Sequence, residues 1–209
     1  MTSGSPARLI LAFSIPLLIG NIFQQLYSMV DTIIVGRFLG VPALAAVGST
    51  GSLSFLVLGF VMGITSGFSV LAAQRFGAGD ERGLRHFVAM SVYLGLIISV
   101  VLTVLTICLT KPMLRLMNTP EDIFYNAAIY IIIIFAGILP TMFYNLLAGV
   151  LRALGDSKTP LYFLIISSVL NILLDLFFIV TLKLGVAGAA YATVISQAVS
   201  AVLCFIYIR

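Results

Sequence analysis

The sequence predicts an all-α integral membrane protein: a single domain over residues 1–209, built as a bundle of six transmembrane helices. Of the 209 residues, 61% are hydrophobic and only 9% are charged, whereas soluble domains contain roughly 25% charged residues. Apolar runs long enough to cross a bilayer recur six times, separated by compact polar segments. The predicted spans are about 9–36, 42–72, 86–110, 123–150, 160–182 and 185–208.

The predicted spans are separated by polar segments, and two of them contain a proline well inside the span. The first apolar run continues well beyond the length of a signal peptide, and further runs follow it, so it is predicted to be a membrane helix. Pro16 and Pro140 lie inside the first and fourth spans and are expected to kink their helices, with Pro16 as a possible hinge. The main polar segments between spans are Gln74–Phe87, Thr110–Asp122, Arg152–Pro160 and Lys183–Gly188.

The basic residues indicate the orientation in the membrane. Seven of them fall on the side of both chain ends and four on the other side, so the positive-inside rule predicts that both ends are cytoplasmic, in a multi-pass protein of the plasma (inner) membrane. The net charge of +4 is spread over short loops, and no basic patch predicts a nucleic-acid partner. The two groups are Arg8, Arg75, Arg82, Arg85, Arg152, Lys158 and Arg209, against Arg37, Lys111, Arg115 and Lys183.

Polar residues form stripes at helical spacing on three of the spans. Asp31 and Asp175 are the only charged residues that lie well inside predicted spans. A polar stripe on a membrane helix faces the interior of the bundle or water, because lipid would leave its hydrogen bonds unsatisfied. Asn21, Gln24, Gln25, Ser28 and Gln197 are therefore the candidates for lining a substrate path. The stripes are Asn21, Gln24, Gln25, Ser28, Asp31 and Thr32; Ser167, Asn171 and Asp175; and Thr193, Ser196, Gln197 and Ser200.

Four polar residues on different spans are predicted to lie at the same depth. At about 1.5 Å of rise per residue, Asp31, Tyr130, Asp175 and Thr193 all fall roughly 9–12 Å below the external surface. Together with Asn171 they would form a cluster of oxygen ligands, which suits a hard cation such as Na⁺ and no transition metal. Two carboxylates at low dielectric also form a proton site. A simpler structural interpretation is that each Asp only hydrogen-bonds a neighbouring helix.

Five segments of the chain, taken together, resemble the MATE family of multidrug and toxic compound extrusion transporters. The resemblance implies one six-helix lobe of a twelve-helix transporter with an N-terminal cation site. The matching positions here are Asp31, Tyr130, Asn171, Asp175 and Thr193, and the bent first helix of the family corresponds to the helix containing Pro16. The segments are Leu26–Gly40, Ala72–Gly83, Val150–Pro160, Asn171–Asp175 and Gly185–Ser196.

The resemblance extends over one lobe only, which shapes the predicted function. The expected activity is Na⁺- or H⁺-coupled efflux of amphipathic organic cations by a half-transporter that needs no cofactor besides its coupling ion. Its partners would be the lipid bilayer and a second six-helix lobe, supplied by a separate chain, a missing C-terminal half or a second copy. Two alternatives are a lipid-linked oligosaccharide flippase of the same superfamily, which the lack of mid-span Lys or Arg disfavours, and a lobe that transports nothing alone.

An enzymatic role is not expected. Asp31 and Asp175 could imitate an intramembrane pair of catalytic aspartates. Neither is followed directly by glycine, as the usual aspartyl motif requires. No nucleotide-binding P-loop pattern occurs in the chain, so transport driven by ATP within this chain is not expected either.

Overall fold

The computed structural model describes the backbone of residues 6–208 and the side chains of residue 11 and residues 14–208. This part of the chain is helical, with no strand among the described residues, which confirms the predicted fold class. One helix, Lys158–Leu176, is followed directly by a π-helical turn, Phe177–Thr181. The helices are α1 (Pro6–Leu39), α2 (Val41–Ser49), α3 (Gly51–Gly77), α4 (Glu81–Leu116), α5 (Glu121–Ala136), α6 (Ile138–Ala153), α7 (Lys158–Leu176) and α8 (Val186–Ile208).

Several of these helices have the length and composition of membrane spans. Among the described residues, α3, α4, α8 and α7 with its π-helical turn are each long and apolar enough to cross a bilayer, and α5 with α6 forms a fifth span if the bent pair is counted as one. α1 has 34 residues, which correspond to about 50 Å of helix. The orientation of the bundle stays a prediction, and Arg209 and the Arg8 side chain lie outside the described residues.

The second predicted span is not the continuous helix that its hydropathy indicated. It is interrupted at Thr50, which separates α2 from α3. The Thr50 hydroxyl donates to the Val47 carbonyl at 2.7 Å, so the side chain competes with the backbone for a helical acceptor. Gly48 and Gly51 flank this position and weaken the helix further, because glycine is a poor helix former.

The expected kink in the fourth span is confirmed. α5 and α6 meet at an angle of 45°, and the break is Gly137, three residues before Pro140. Proline has no N–H to donate and its ring crowds the preceding turn, so the helix cannot continue straight. The Thr103 hydroxyl of α4 donates to the Phe135 carbonyl at 3.3 Å, which gives one carbonyl at the bend a partner.

The interior of the bundle lies around α6 and α8. α6 packs against α3, α4 and α8, while α8 also packs against α5 and α7. The largest core cluster among the described residues, shared by α2, α3, α4, α5 and α6, includes the fully buried Val61, Leu114, Ile131, Phe135 and Met142. α1 packs mainly against α7 and α2, and this position at the edge leaves its polar stripe beside an open cavity.

Candidate functional site

A cavity of about 560 Å³ extends along the inner side of α1. Its wall on α1 runs from Pro16 to Thr32, about 24 Å of helix. α1 and α7 lie side by side and run in the same direction. Gly20 of α1 faces Leu161 of α7. Further along both helices, by eleven residues on α1 and fourteen on α7, Asp31 faces Asp175. The cavity therefore has two ends, and the one that contains Asp31 is called the acidic end below.

The acidic end contains two carboxyl groups in contact. Asp175 is fully buried and Asp31 is 8% exposed, and their side chains are close enough to share a hydrogen bond. Two carboxylates in contact repel each other unless a proton or another cation neutralises one of them. The Oδ1 atoms of both residues are buried without a hydrogen-bond partner among the described residues. The pair thus has acceptor capacity for a proton or a cation.

Asn171 connects the acid pair to α8. Its side chain is 1% exposed, and its amide orientation follows from the hydrogen-bond network. With the nitrogen facing Asp175, the amide donates to Asp175 Oδ2 at 3.1 Å and its oxygen accepts the Thr193 backbone N–H at 3.2 Å. This arrangement satisfies a buried carboxylate oxygen and fixes α7 against α8 at the level of the pair.

The π-helical turn lies directly after the acid pair. The Leu182 N–H donates to the Phe177 carbonyl five residues earlier at 3.0 Å, and the first turn of α8 approaches this segment closely. A Cβ on Gly188 would lie 3.0 Å from Phe178 Cβ and 3.2 Å from the Phe178 carbonyl carbon. Glycine at this position permits the close approach that brings Thr193 beside Asn171.

The structure brings together the five residues predicted to form the cation site. Asp31, Tyr130 and Thr193 line the cavity, and Asp175 and Asn171 lie immediately behind Asp31. Gln25 is exposed on α1 and does not line the cavity, because the helix turns about 100° per residue and Gln24 already occupies the inner face. The other predicted lining residues do line the cavity: Asn21, Gln24, Ser28 and Gln197, together with the candidate hinge Pro16.

Several lining residues were not identified from the sequence. Thr141, Tyr144 and Asn145 recur at spacings of three and four on α6, so the periodicity that identified the other stripes could have found them. Tyr27 lines the acidic end, but tyrosine counts as apolar in a hydropathy pattern. Thr50 also lines the cavity, and it lies at the break between α2 and α3, which no periodicity signals.

Two acidic residues outside the spans stabilise the ends of helical hairpins. The Gly83 N–H at 2.8 Å and the Arg75 guanidinium at 2.9 Å hold the pKa of Asp80 below its usual value. Burial raises the pKa of Asp156, but hydrogen bonds donated by Thr159, Lys158 and Tyr207 outweigh that effect and leave the pKa lowered. Both carboxylates act as caps for the helix that follows them.

A helical bundle with lipid-facing apolar surfaces and a polar cavity that ends on a buried acid pair is the architecture of a membrane transport protein. Residues 16–177 match the family model MatE, and the chain belongs to this family. The resemblance found in the sequence is confirmed.

This chain matches only part of the length of the proteins that are similar to it. The chain is 42% identical over 202 residues to the probable multidrug resistance protein YoeA of Bacillus subtilis strain 168, covering 94% of this chain and 43% of the relative. It is 34% identical over 207 residues to the probable multidrug resistance protein YpnP of the same organism, covering 99% of this chain and 46% of the relative. A crystal structure of MATE in the bent conformation superimposes with a TM-score of 0.90 at 34% identity, covering 98% of this chain and 45% of that one. The chain thus spans a little under half the length of these relatives.

Proposed function

We propose that this chain is one lobe of a cation-coupled exporter of amphipathic organic cations and works with a second six-helix lobe. Its relatives are named as multidrug resistance proteins, and the chain covers less than half of their length. The cavity volume of about 560 Å³ lies within the range of about 300–1,000 Å³ that accommodates drug-sized molecules. The activity is transport, with no chemical conversion of the substrate.

The observation that supports the proposal most strongly is the acid pair at the end of the cavity. Asp31 belongs both to the pair and to the cavity wall on α1, so a cation or proton that loads the pair changes the charge of the substrate path. A ligand shifts a conformational equilibrium only through its different affinities for the two states. Loading of the pair and binding of a cationic substrate would oppose each other through the shared carboxylates.

The groups at the acidic end suit a monovalent cation or a proton. The two unpaired Oδ1 atoms, the Tyr130 phenol and the Thr193 hydroxyl are all oxygen donors, which hard cations prefer. Asp31, Asp175, Thr193 and Tyr130 would hold the ion, with Asn171 behind them as a positioning residue. The bound ion supplies positive charge that neutralises the pair, and Asn171 keeps Asp175 oriented toward it. Loading would change the position of α1 relative to α7, with Pro16 as the hinge.

The cavity wall between its two ends combines polar and apolar groups. Asn21, Gln24 and Gln197 offer amide hydrogen bonds, while Leu58 and Met62 of α3 face the same space. A cation with an apolar body fits such a wall, because its charge is attracted to the acidic end and its body displaces water from apolar surface. The second lobe would close the open side of the cavity.

Transport in proteoliposomes tests the proposal. Efflux of a fluorescent organic cation is measured under separate Na⁺ and pH gradients, with Asp175→Asn as the test variant. Asp122→Asn is the matched control, since Asp122 is exposed in the first turn of α5 and does not line the cavity. We expect gradient-driven movement that Asp175→Asn abolishes and Asp122→Asn retains. Equal transport by both variants would contradict the role of the pair.

The same preparation reports whether the chain acts alone. If calorimetry shows that the folded chain binds the coupling ion but the chain moves no dye, a second lobe is required. Co-reconstitution with that lobe should then restore transport. If Asp175→Asn retains both ion binding and transport, the proposed site is excluded.

A further inference from the structure

The end of the cavity opposite the acid pair contains an arginine that forms no ion pair with any described side chain. Arg152 lies in the last turn of α6, is half-buried and lines the cavity. Among the described side chains, those of residue 11 and residues 14–208, the one ion pair that forms is Arg75–Asp80. Arg152 meets no carboxylate there. A guanidinium is always charged and offers five N–H donors. The residues Asn145, Arg152 and Ser157 are called the basic end below.

The acidic residue nearest to Arg152 in the sequence is already engaged elsewhere. Asp156 Oδ1 accepts the backbone N–H groups of Lys158 at 3.1 Å and Thr159 at 3.0 Å, and its Oδ2 accepts the Tyr207 hydroxyl at 3.4 Å. Asp156 therefore caps α7 and fastens α8 to the loop, and its carboxylate does not neutralise Arg152.

The neighbours of Arg152 suit an oxyanion. The Ser157 side chain is 7% exposed, lines the cavity and makes no capping hydrogen bond to α7, so its hydroxyl is available to a ligand. Guanidinium groups bind phosphate oxygens through paired, charge-assisted hydrogen bonds. Leu17 and Leu161 line the adjoining part of the cavity and provide apolar surface beside the polar group.

The two ends are too far apart to neutralise each other. Ser157 precedes Asp175 by eighteen residues, which corresponds to about 27 Å. This separation approaches the thickness of the hydrocarbon core of a bilayer, about 30 Å. With the acid pair at its predicted depth, the basic end would lie near the opposite membrane surface, at the level of lipid headgroups.

We propose that Arg152 and Ser157 form a binding site for a phosphate group, separate from the cation site at the acidic end. Arg152 holds the phosphate oxygens, and Ser157 donates one further hydrogen bond. The phosphate has two possible sources. A phospholipid headgroup would place its acyl chain along Leu17 and Leu161, whereas a soluble phosphomonoester would occupy the polar part alone.

Calorimetric titration of the purified chain in a neutral detergent tests this site. The probes are dioctanoyl phosphatidic acid, glycerol phosphate, and dioctanoylglycerol, which has the same acyl chains without phosphate. We expect saturable binding of at least one phosphate probe and none of dioctanoylglycerol. Tight binding of phosphatidic acid with weak binding of glycerol phosphate identifies a lipid source, and comparable binding of both identifies a soluble one.

Variants assign the binding to the basic end. Arg152→Gln should weaken phosphate binding by about tenfold or more, because a charge-assisted hydrogen-bond donor is removed, and Arg152→Lys should retain part of it. Ser157→Ala should weaken binding by a smaller factor. Lys158→Gln is the matched control, since Lys158 is an exposed cation next to the site that does not line the cavity. Asp175→Asn should leave phosphate binding unchanged.

Three outcomes would overturn the proposal: no phosphate probe binds, Arg152→Gln binds as well as the wild type, or Lys158→Gln weakens binding as much as Arg152→Gln. Helical circular dichroism and the thermal unfolding midpoint are recorded for each variant. If Arg152→Gln fails to fold, Arg152→Lys and Ser157→Ala decide the question, and wild-type affinity in both would overturn the proposal. The assay needs no transport, so its failure is distinct from failure of the exporter proposal.

Discussion

At the scale of single residues, the acidic end depends on groups whose hydrogen bonds are shared between helices. The Asn171 amide contacts both a carboxylate of its own helix and the backbone of α8. The sequence predicted Asp31, Asp175, Asn171, Thr193 and Tyr130 as one cluster, because the spacing of polar residues and their matching depth depend only on helix geometry. Tyr27 was missed, since a phenol on an apolar ring gives no polar signal in the sequence.

Asn171→Ala tests the importance of the shared amide. It removes the hydrogen bond to Asp175 Oδ2 and leaves a buried acceptor unpaired, which typically costs about 1–3 kcal/mol. We expect a lower thermal unfolding midpoint and weaker binding of the coupling ion, both measured on the purified chain. Asn145→Ala is the control, because the Asn145 amide donates to Thr141 of its own helix. An equal effect of both substitutions on ion binding would contradict the proposed role of Asn171.

At the scale of helices, the breaks position the site as much as the helices do. The bend at Gly137, between α5 and α6, and the π-helical turn, at the end of α7, both belong to segments that pack against α8. Pro140 made the bend predictable from the sequence. The break at Thr50 and the π-helical turn were not predictable, because both occur within apolar runs that carry no proline signal at these positions.

Gly137→Ala tests the packing of the bend against α8. A Cβ at this position would overlap the Val194 side chain, and overpacking of this kind costs about 1–3 kcal/mol. We expect a lower thermal unfolding midpoint, restored in part by adding Val194→Ala. Gly67→Ala is the control, since a Cβ on Gly67 meets nothing within 4 Å. A Gly137→Ala midpoint equal to that of Gly67→Ala would show that the bend tolerates a side chain.

The helix-capping aspartates predict how stability depends on pH. The folded-state pKa values of Asp80 and Asp156 are lowered, so each group stabilises the fold above its unfolded pKa of about 3.9, and this contribution is lost as the pH falls through the folded pKa. We expect the unfolding midpoint to fall between about pH 5 and pH 3, and Asp156→Asn to reduce that fall while lowering the midpoint at neutral pH. An identical pH profile in Asp156→Asn would contradict this account of the cap.

At the scale of the whole molecule, the chain forms a lobe whose cavity has charges of opposite sign at its two ends. The apolar surfaces of α4 and α8 face outward, while the polar stripe of α1 borders the cavity. Hydropathy predicted the membrane fold correctly, because helix surfaces that face lipid must be apolar. It gave no sign of the basic end, since Arg152 looks like one loop residue among several until the fold places it beside the cavity.

Occupation of the acid pair by an ion is expected to weaken substrate binding in the cavity, and equilibrium binding measures this linkage most directly. The affinity of the purified chain for a fluorescent organic cation is determined as a function of Na⁺ concentration and of pH, in the wild type and in Asp175→Asn. Linkage requires that a coupling ion and a substrate that compete for the same charges weaken each other's binding by the same factor. We predict that raising the concentration of at least one of the two ions, Na⁺ or H⁺, weakens dye binding about fivefold or more in the wild type and has no effect in Asp175→Asn. Dye affinity that is independent of both ions, or equally dependent on them in Asp175→Asn, would contradict the account.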